Sequence, residues 1–202
     1  MSEKQTERRA QIEAAAFELL ENVGYKKASM LEIAKRARAS NETLYAWYGN
    51  KQALFSSLIS SNARIVEDSL QEAVSGNANP DDALFDLGKL LLEFTATEKA
   101  IIINRAAVAD VQETGLLAAA VEKNARQVMI GLIDALMAKL AASGRFRFDH
   151  GLREATEVFI GLLIGELQMQ QALGAIPPLA SHEIDDRAKR ITDLFFRLYR
   201  FS

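Results

Sequence analysis

Apolar residues recur along this chain at helical spacing, and no segment alternates with the two-residue period of a strand. Ile12, Ala16, Leu19, Leu20 and Val23 form one stripe, with Phe17 near its edge and Gly24 as a stop. Ile33, Ala34 and Ala37 form a short second one, and Leu44 and Tyr48 a third. Leu54, Phe55, Leu58, Ile59, Ile65, Val66 and Leu70 predict a helix from Lys51 to Val74, roughly 35 Å long. Ser75 to Pro80 is a polar loop, in which Asn79 suits a cap and Pro80 a first helical position. Beyond it, helices are predicted over 81–95, 101–110, 115–143, 152–173 and 184–200. The pattern predicts an all-α chain of about nine helices. A three-helix head over 5–65 is joined by a long helix to a larger helical domain over 66–202.

The stretch from Ser29 to Lys51 is the most informative. Ser29 and Glu32 fit a capping box, and Ser40 caps a new start at Asn41 that Gly49 ends. A helix of that length is unstable alone and must be held by neighbours, which leaves one face for a partner. At about 100° per residue, Leu44 and Tyr48 share one side, Glu42, Thr43 and Ala46 lie opposite, and Tyr45 and Trp47 flank them. A helix-turn-helix lays such a face into the DNA major groove. Lys51 falls in the first turn of the next helix, where the macrodipole disfavours a cation; a bound phosphate would resolve that conflict.

Charge changes the picture by its distribution. The net charge is −3 over 202 residues, but residues 1–55 carry nine Lys/Arg against seven Asp/Glu. Lys26, Lys27, Arg38 and Lys51 sit at helix ends or in turns, where phosphates can reach them. Cysteine is absent, which excludes disulfides, thiolate metal sites and a cysteine nucleophile. His150 and His182 have no ligand partner three or four residues away, so neither metal nor cofactor is expected. The N-terminus lacks the apolar core of a signal peptide, and no apolar run reaches membrane-span length; a cytoplasmic location is the expectation.

From Arg8 to Phe55 the chain resembles the tetracycline-repressor (TetR) family of bacterial transcriptional regulators. The resemblance rests on Gly24-Tyr25, Ser29, Ile33-Ala34, Ser40, Thr43-Leu44-Tyr45, Tyr48, Lys51 and Leu54. Two positions depart from the family pattern. Arg38 stands where a turn glycine is usual, and Ala39 where a larger apolar residue is usual. The resemblance implies a homodimer that binds a palindromic double-stranded DNA operator, represses transcription and is released by a small-molecule effector. On this reading Glu42, Thr43 and Ala46 face base edges, and Ser29, Ser40, Asn41, Tyr45, Trp47, Tyr48 and Lys51 position the protein, with Lys26, Lys27 and Arg38 adding charge.

The last two helices are too apolar for the outer layer of a monomer. Val158–Gly165 is apolar all round, with Gly161 and Gly165 suited to close backbone approach, and the final helix carries Ile191, Leu194, Phe195, Leu198 and Phe201 on one face. Phe159, Leu163, Ile191, Leu194, Phe195 and Leu198 are therefore expected at a dimer interface, as in the family. For an effector site, polar groups inside apolar helices are the guide. Asn104, Arg105 and Glu166 are the directing candidates, with Phe94, Met129, Ile133 and Met169 as walls. Two other readings compete. An effector-independent architectural DNA-binding dimer would use the same head. An all-α enzyme of the di-iron kind lacks its Glu-x-x-His pairs, because Arg147 and Leu179 precede the two histidines.

Overall fold

The computed structural model describes residues 3–75 and 79–200; the centre of the 75–80 loop and Phe201 lie outside the described residues, as does the side chain of Ile65. The described chain is helical: α1 (Glu3–Lys27), α2 (Met30–Arg36), α3 (Asn41–Tyr48), α4 (Lys51–Ser75), α5 (Pro80–Thr95), α6 (Glu98–Asp110), α7 (Leu116–Val121), α8 (Gln127–Ala142), α9 (Leu152–Leu163), α10 (Leu167–Ala172) and α11 (Ser181–Tyr199). An antiparallel bridge between Phe146 and Arg200 is its one β feature among the described residues.

Two compact units form. The first comprises residues 1–64 and 102–125 and the second 65–101 and 126–202, so α6 and α7 pack with the N-terminal helices despite their place in the sequence.

In the first unit, Ile12, Ala16, Leu19 and Leu20 of α1 bury against Ile33 and Ala34 of α2, Leu44 and Tyr48 of α3, and Leu54, Phe55 and Leu58 of α4. Ala106, Ala107, Leu117 and Ala120 complete that core from α6 and α7. Gly24, at φ 75°, breaks α1 before its last turn.

In the second unit α5 packs on α8 and α11, and α9 packs on the same two helices. Asn79 caps α5 and Pro80 occupies its first turn. Gly88 lets α9 approach: a Cβ there would lie 3.3 Å from Phe159 Cζ and 3.7 Å from Leu163 Cδ1. This close approach was expected at Gly161 and Gly165 instead. Gly161 has open space around its Cα, and Gly165 (φ 48°) lies between α9 and α10, dividing the single helix expected over 152–173. Arg187 of α11 caps the break, donating to the carbonyls of Leu163 (2.5 Å) and Ile164 (3.4 Å) at the helix end. The single helix expected over 115–143 runs on through a π-helical turn at Glu122–Arg126. The end of α11 is fastened twice. Arg147 N–H donates to the Tyr199 carbonyl at 2.9 Å, and Asp81 of α5 takes a bidentate pair from Arg145 (2.8 and 2.9 Å) and a further bond from Arg200.

Candidate nucleic-acid interface

The segment α2–turn–α3 is built by local chemistry. Ser29 Oγ accepts from the Glu32 N–H at 3.2 Å and starts α2. The reciprocal half of the capping box is replaced, since Glu32 instead pairs with Lys35 at 3.1 Å. Glu18 of α1 pairs with Arg36, fixing α2 from outside. The turn is a Schellman motif: Ala39 N–H reaches the Ala34 carbonyl at 2.9 Å and Arg38 N–H the Lys35 carbonyl at 3.1 Å. Such a motif needs a left-handed residue, and Arg38 supplies it at φ 51°, alone among the described non-glycine residues. A Cβ costs about 1 kcal/mol there. Arg8 donates to the Arg38 carbonyl, a contact that does not depend on the side chain at 38. Arg38→Gly is therefore expected to raise stability by about 0.5–1 kcal/mol, the relieved strain exceeding the added chain entropy. Urea unfolding measures it; an unchanged or lower midpoint would contradict the strain.

Ser40 then starts α3, accepting from the Thr43 N–H at 3.0 Å and sharing a 2.8 Å contact with the Thr43 hydroxyl. Leu44 and Tyr48 turn into the core, while Asn41, Glu42, Tyr45 and Ala46 are exposed. Tyr45 is an apolar-bodied side chain left 49% exposed. Thr43 is half-buried, its hydroxyl committed to the cap, and Trp47 packs partly against the core. Lys26, Lys27 and Arg38 are exposed and Ser29 is half-buried.

Two of the expected contact residues point elsewhere. Tyr48 is buried beneath the Arg9 guanidinium, 5.5 Å from its ring centroid, and burial pushes its phenol up. It is a core residue because it shares the inward side of α3 with Leu44. Lys51 is the first residue of α4, and its conflict with the macrodipole is answered inside the protein. Its Nζ donates to the Tyr25 carbonyl at 3.0 Å and lies 4.2 Å from the centroid of the Tyr25 ring.

Tyr25 carries buried polar contacts that periodicity missed. It is buried, and its hydroxyl donates to Asp110 Oδ1 at 3.0 Å. Asp110, the last residue of α6, is fully buried and also accepts from Thr114 Oγ1 at 2.7 Å and Leu117 N–H at 3.1 Å. Burial pushes its carboxyl up, but the donors from Thr114, Leu117 and Tyr25 outweigh it and hold it below the ordinary 3.8. Burial, then the bond to Asp110, pushes the Tyr25 phenol well above its ordinary 10.0. The folded Asp110 value lies below the unfolded one. Its contribution to stability is therefore complete above about pH 3.8 and lost as pH falls. The folded Tyr25 value lies above the unfolded one, so its contribution is complete below about pH 10.0 and lost as pH rises. The melting-temperature gap between the wild type and Asp110→Asn is expected to be constant from pH 5 to 9, an interval chosen between those two limits. It is expected to narrow as pH falls below about 3.8. Melts across that range test it, and a gap that widens in acid would contradict it.

The expected effector residues fall in both units. Asn104 (half-buried) and Arg105 (exposed) belong to the first unit, whereas Phe94, Met129, Ile133, Glu166 and Met169 belong to the second. Within the second unit, Ile133 is core, Phe94 and Met129 are half-buried, and Glu166 and Met169 are exposed. The expected dimer set divides too. Phe159, Leu163, Ile191 and Phe195 are buried in the core of their own unit rather than on its surface, and Gly88 gives room there to Phe159 and Leu163 of α9. Leu194 (39%) and Leu198 (57%) are exposed, as are Met169 (64%) and Leu173 (75%) around α10. Among the described residues no cluster of His, Asp or Glu is arranged to hold a metal, and no helix is long and apolar enough to cross a membrane.

Comparison with known proteins agrees with this geometry. Residues 12–58 match the family model described as bacterial regulatory proteins, tetR family. Residues 82–201 match that of the AefR-like transcriptional repressor, C-terminal domain. No curated protein sequence matches the chain. Solved structures share its fold over nearly the whole length. A TetR-family transcriptional regulator from Mesorhizobium loti MAFF303099 superposes with a TM-score of 0.85 at 21% identity, over 99% of this chain and all of that one. The flavonoid-responsive regulator FrrA gives 0.71 at 24% identity, over 96% of this chain and 98% of that one. FadR from Bacillus subtilis, in complex with stearoyl-CoA, gives 0.74 at 16% identity, over 92% of this chain and 96% of that one.

Proposed function

Because the chain belongs to the TetR family and is a DNA-binding transcriptional regulator rather than an enzyme, we propose that it is a repressor that binds a palindromic operator as a homodimer and leaves it when a small-molecule effector binds. One observation carries this reading: α3 is capped, braced on one side by Leu44 and Tyr48, and presents Asn41, Glu42, Tyr45 and Ala46 outward. A short helix held this way can enter the major groove without losing its support. Glu42 and Ala46 then meet base edges, Glu42 accepting from a cytosine amino group and Ala46 touching a thymine methyl. Tyr45, Asn41 and the cations Lys26, Lys27 and Arg38 position the head on phosphates. Residues 5–65 do the reading, and residues 66–202 supply effector binding and dimerisation.

For the dimer we propose the surface of α10 and α11 around Met169, Leu173, Leu194 and Leu198, the exposed large apolar side chains of that end of the chain. Exposed large apolar side chains favour burial against a second copy of the chain. Two proteins of the same fold, one described as flavonoid-responsive and one in complex with stearoyl-CoA, support a small-molecule effector here. Selection of bound sequences from random DNA by the purified protein, at two salt concentrations, tests the proposal. A palindromic consensus whose binding weakens steeply with salt is expected. Enrichment of a single unrepeated half-site would remove the dimer, and no enrichment at low salt would remove the reading helix.

A further inference from the structure

We infer that Tyr25 and Asp110 are positioning residues for DNA reading: with Lys51 they clasp the helix-turn-helix at its base and anchor that clasp to the α6–α7 turn. This rests on the reading of α3 as the DNA-contacting helix.

Tyr25 lies just before Ala28 and Ser29, where the chain enters α2, and Lys51 lies just after Gly49 and Asn50, where it leaves α3. The 3.0 Å bond from Lys51 Nζ to the Tyr25 carbonyl, with the ammonium 4.2 Å from the ring centroid, thus joins entry and exit of one segment. Closing that loop at its base adds to the core contacts of Leu44 and Tyr48 in fixing the position of α3. Phe55 holds the ring edge-on, 5.5 Å between centroids. The far end of the ring is fixed by the hydroxyl bond to Asp110. Asp110 is a buried carboxylate surrounded by hydrogen-bond donors in an otherwise apolar contact of Ala106, Ala107, Leu117 and Ala120. An apolar contact tolerates sliding, whereas a buried carboxylate tolerates one arrangement, because each displaced donor leaves charge unsatisfied. The ring position, and through it the clasp, is therefore set by α6 and α7.

The test uses the consensus DNA selected by the full-length wild-type protein, with affinities measured well below the unfolding temperature. Tyr25→Phe keeps the ring and the carbonyl that Lys51 uses and removes only the hydroxyl. It is expected to lose roughly ten-fold in consensus affinity, as is Asp110→Asn, and the double variant should lose no more than the weaker single. Thr114→Val removes a different donor from the same carboxylate without touching Tyr25. It is expected to lower the melting temperature and leave the affinity unchanged, which separates positioning from stability. If Asp110→Asn does not fold, Tyr25→Phe carries the test alone. Wild-type affinity in Tyr25→Phe, or an equal loss in Thr114→Val, would overturn the inference while leaving the reading of α3 intact. A wild-type protein that selects no DNA would overturn both.

Discussion

Ala46→Asp is expected to lower operator affinity at least about a hundred-fold while changing stability by no more than about 0.5 kcal/mol. Ala46 is exposed on α3 and beside Glu42, so nothing in the fold depends on its methyl. Aspartate is tolerated on a helix surface at small propensity cost. In the groove the same carboxylate would meet phosphates and base acceptors, where like-charge contact costs several kcal/mol. Paired measurements of thermal unfolding and DNA binding separate the two effects. Retained binding in a folded Ala46→Asp protein would mean that α3 faces something other than DNA.

Phe195→Ala is expected to remove about 3–5 kcal/mol of stability. Phe195 of α11 is fully buried, with the rings of Phe159 at 5.5 Å, Tyr199 at 4.8 Å and Phe148 at 6.2 Å from its own. It links α9, α11 and the α8–α9 connector, so its loss opens a cavity that three separate elements would have to collapse to fill. Domains of this kind hold only about 5–15 kcal/mol in all. Urea unfolding should show a correspondingly lower midpoint. A loss below about 1 kcal/mol would mean that the ring sits at a partner surface rather than in the core.

These two positions also mark how far the sequence could be read. Ala46 was legible as outward because caps and the phase of a short helix are local: Ser29, Ser40 and Gly49 act within four residues, and Leu44 with Tyr48 fixes which side faces in. Phe195 was expected at a partner surface, and that expectation failed for a tertiary reason. The apolar face of α11 does not record whether it meets its own domain or a partner; here Ile184, Ala188, Ile191 and Phe195 fill the core of their own unit, beside the Phe159 and Leu163 that Gly88 admits from α9. The break at Gly165 escaped because apolar spacing continues through it, from Leu163 and Ile164 to Leu167. The Tyr25–Asp110 bond joins residues 85 apart, and no local pattern records such a pair. Lys51 carried a legible signal, a cation at a helix start, but its partner proved to be a carbonyl and a ring of the protein itself.

The central claim is that the outward face of α3 reads base edges. The most direct measurement is to select bound sequences with the wild type and with Glu42→Gln in parallel. Glutamate accepts from cytosine, whereas glutamine pairs with adenine, and Glu42 makes no contact that the fold requires. The account expects the consensus to change at one base pair in each half-site, at symmetric positions, with the rest preserved. An identical consensus from both proteins would contradict it.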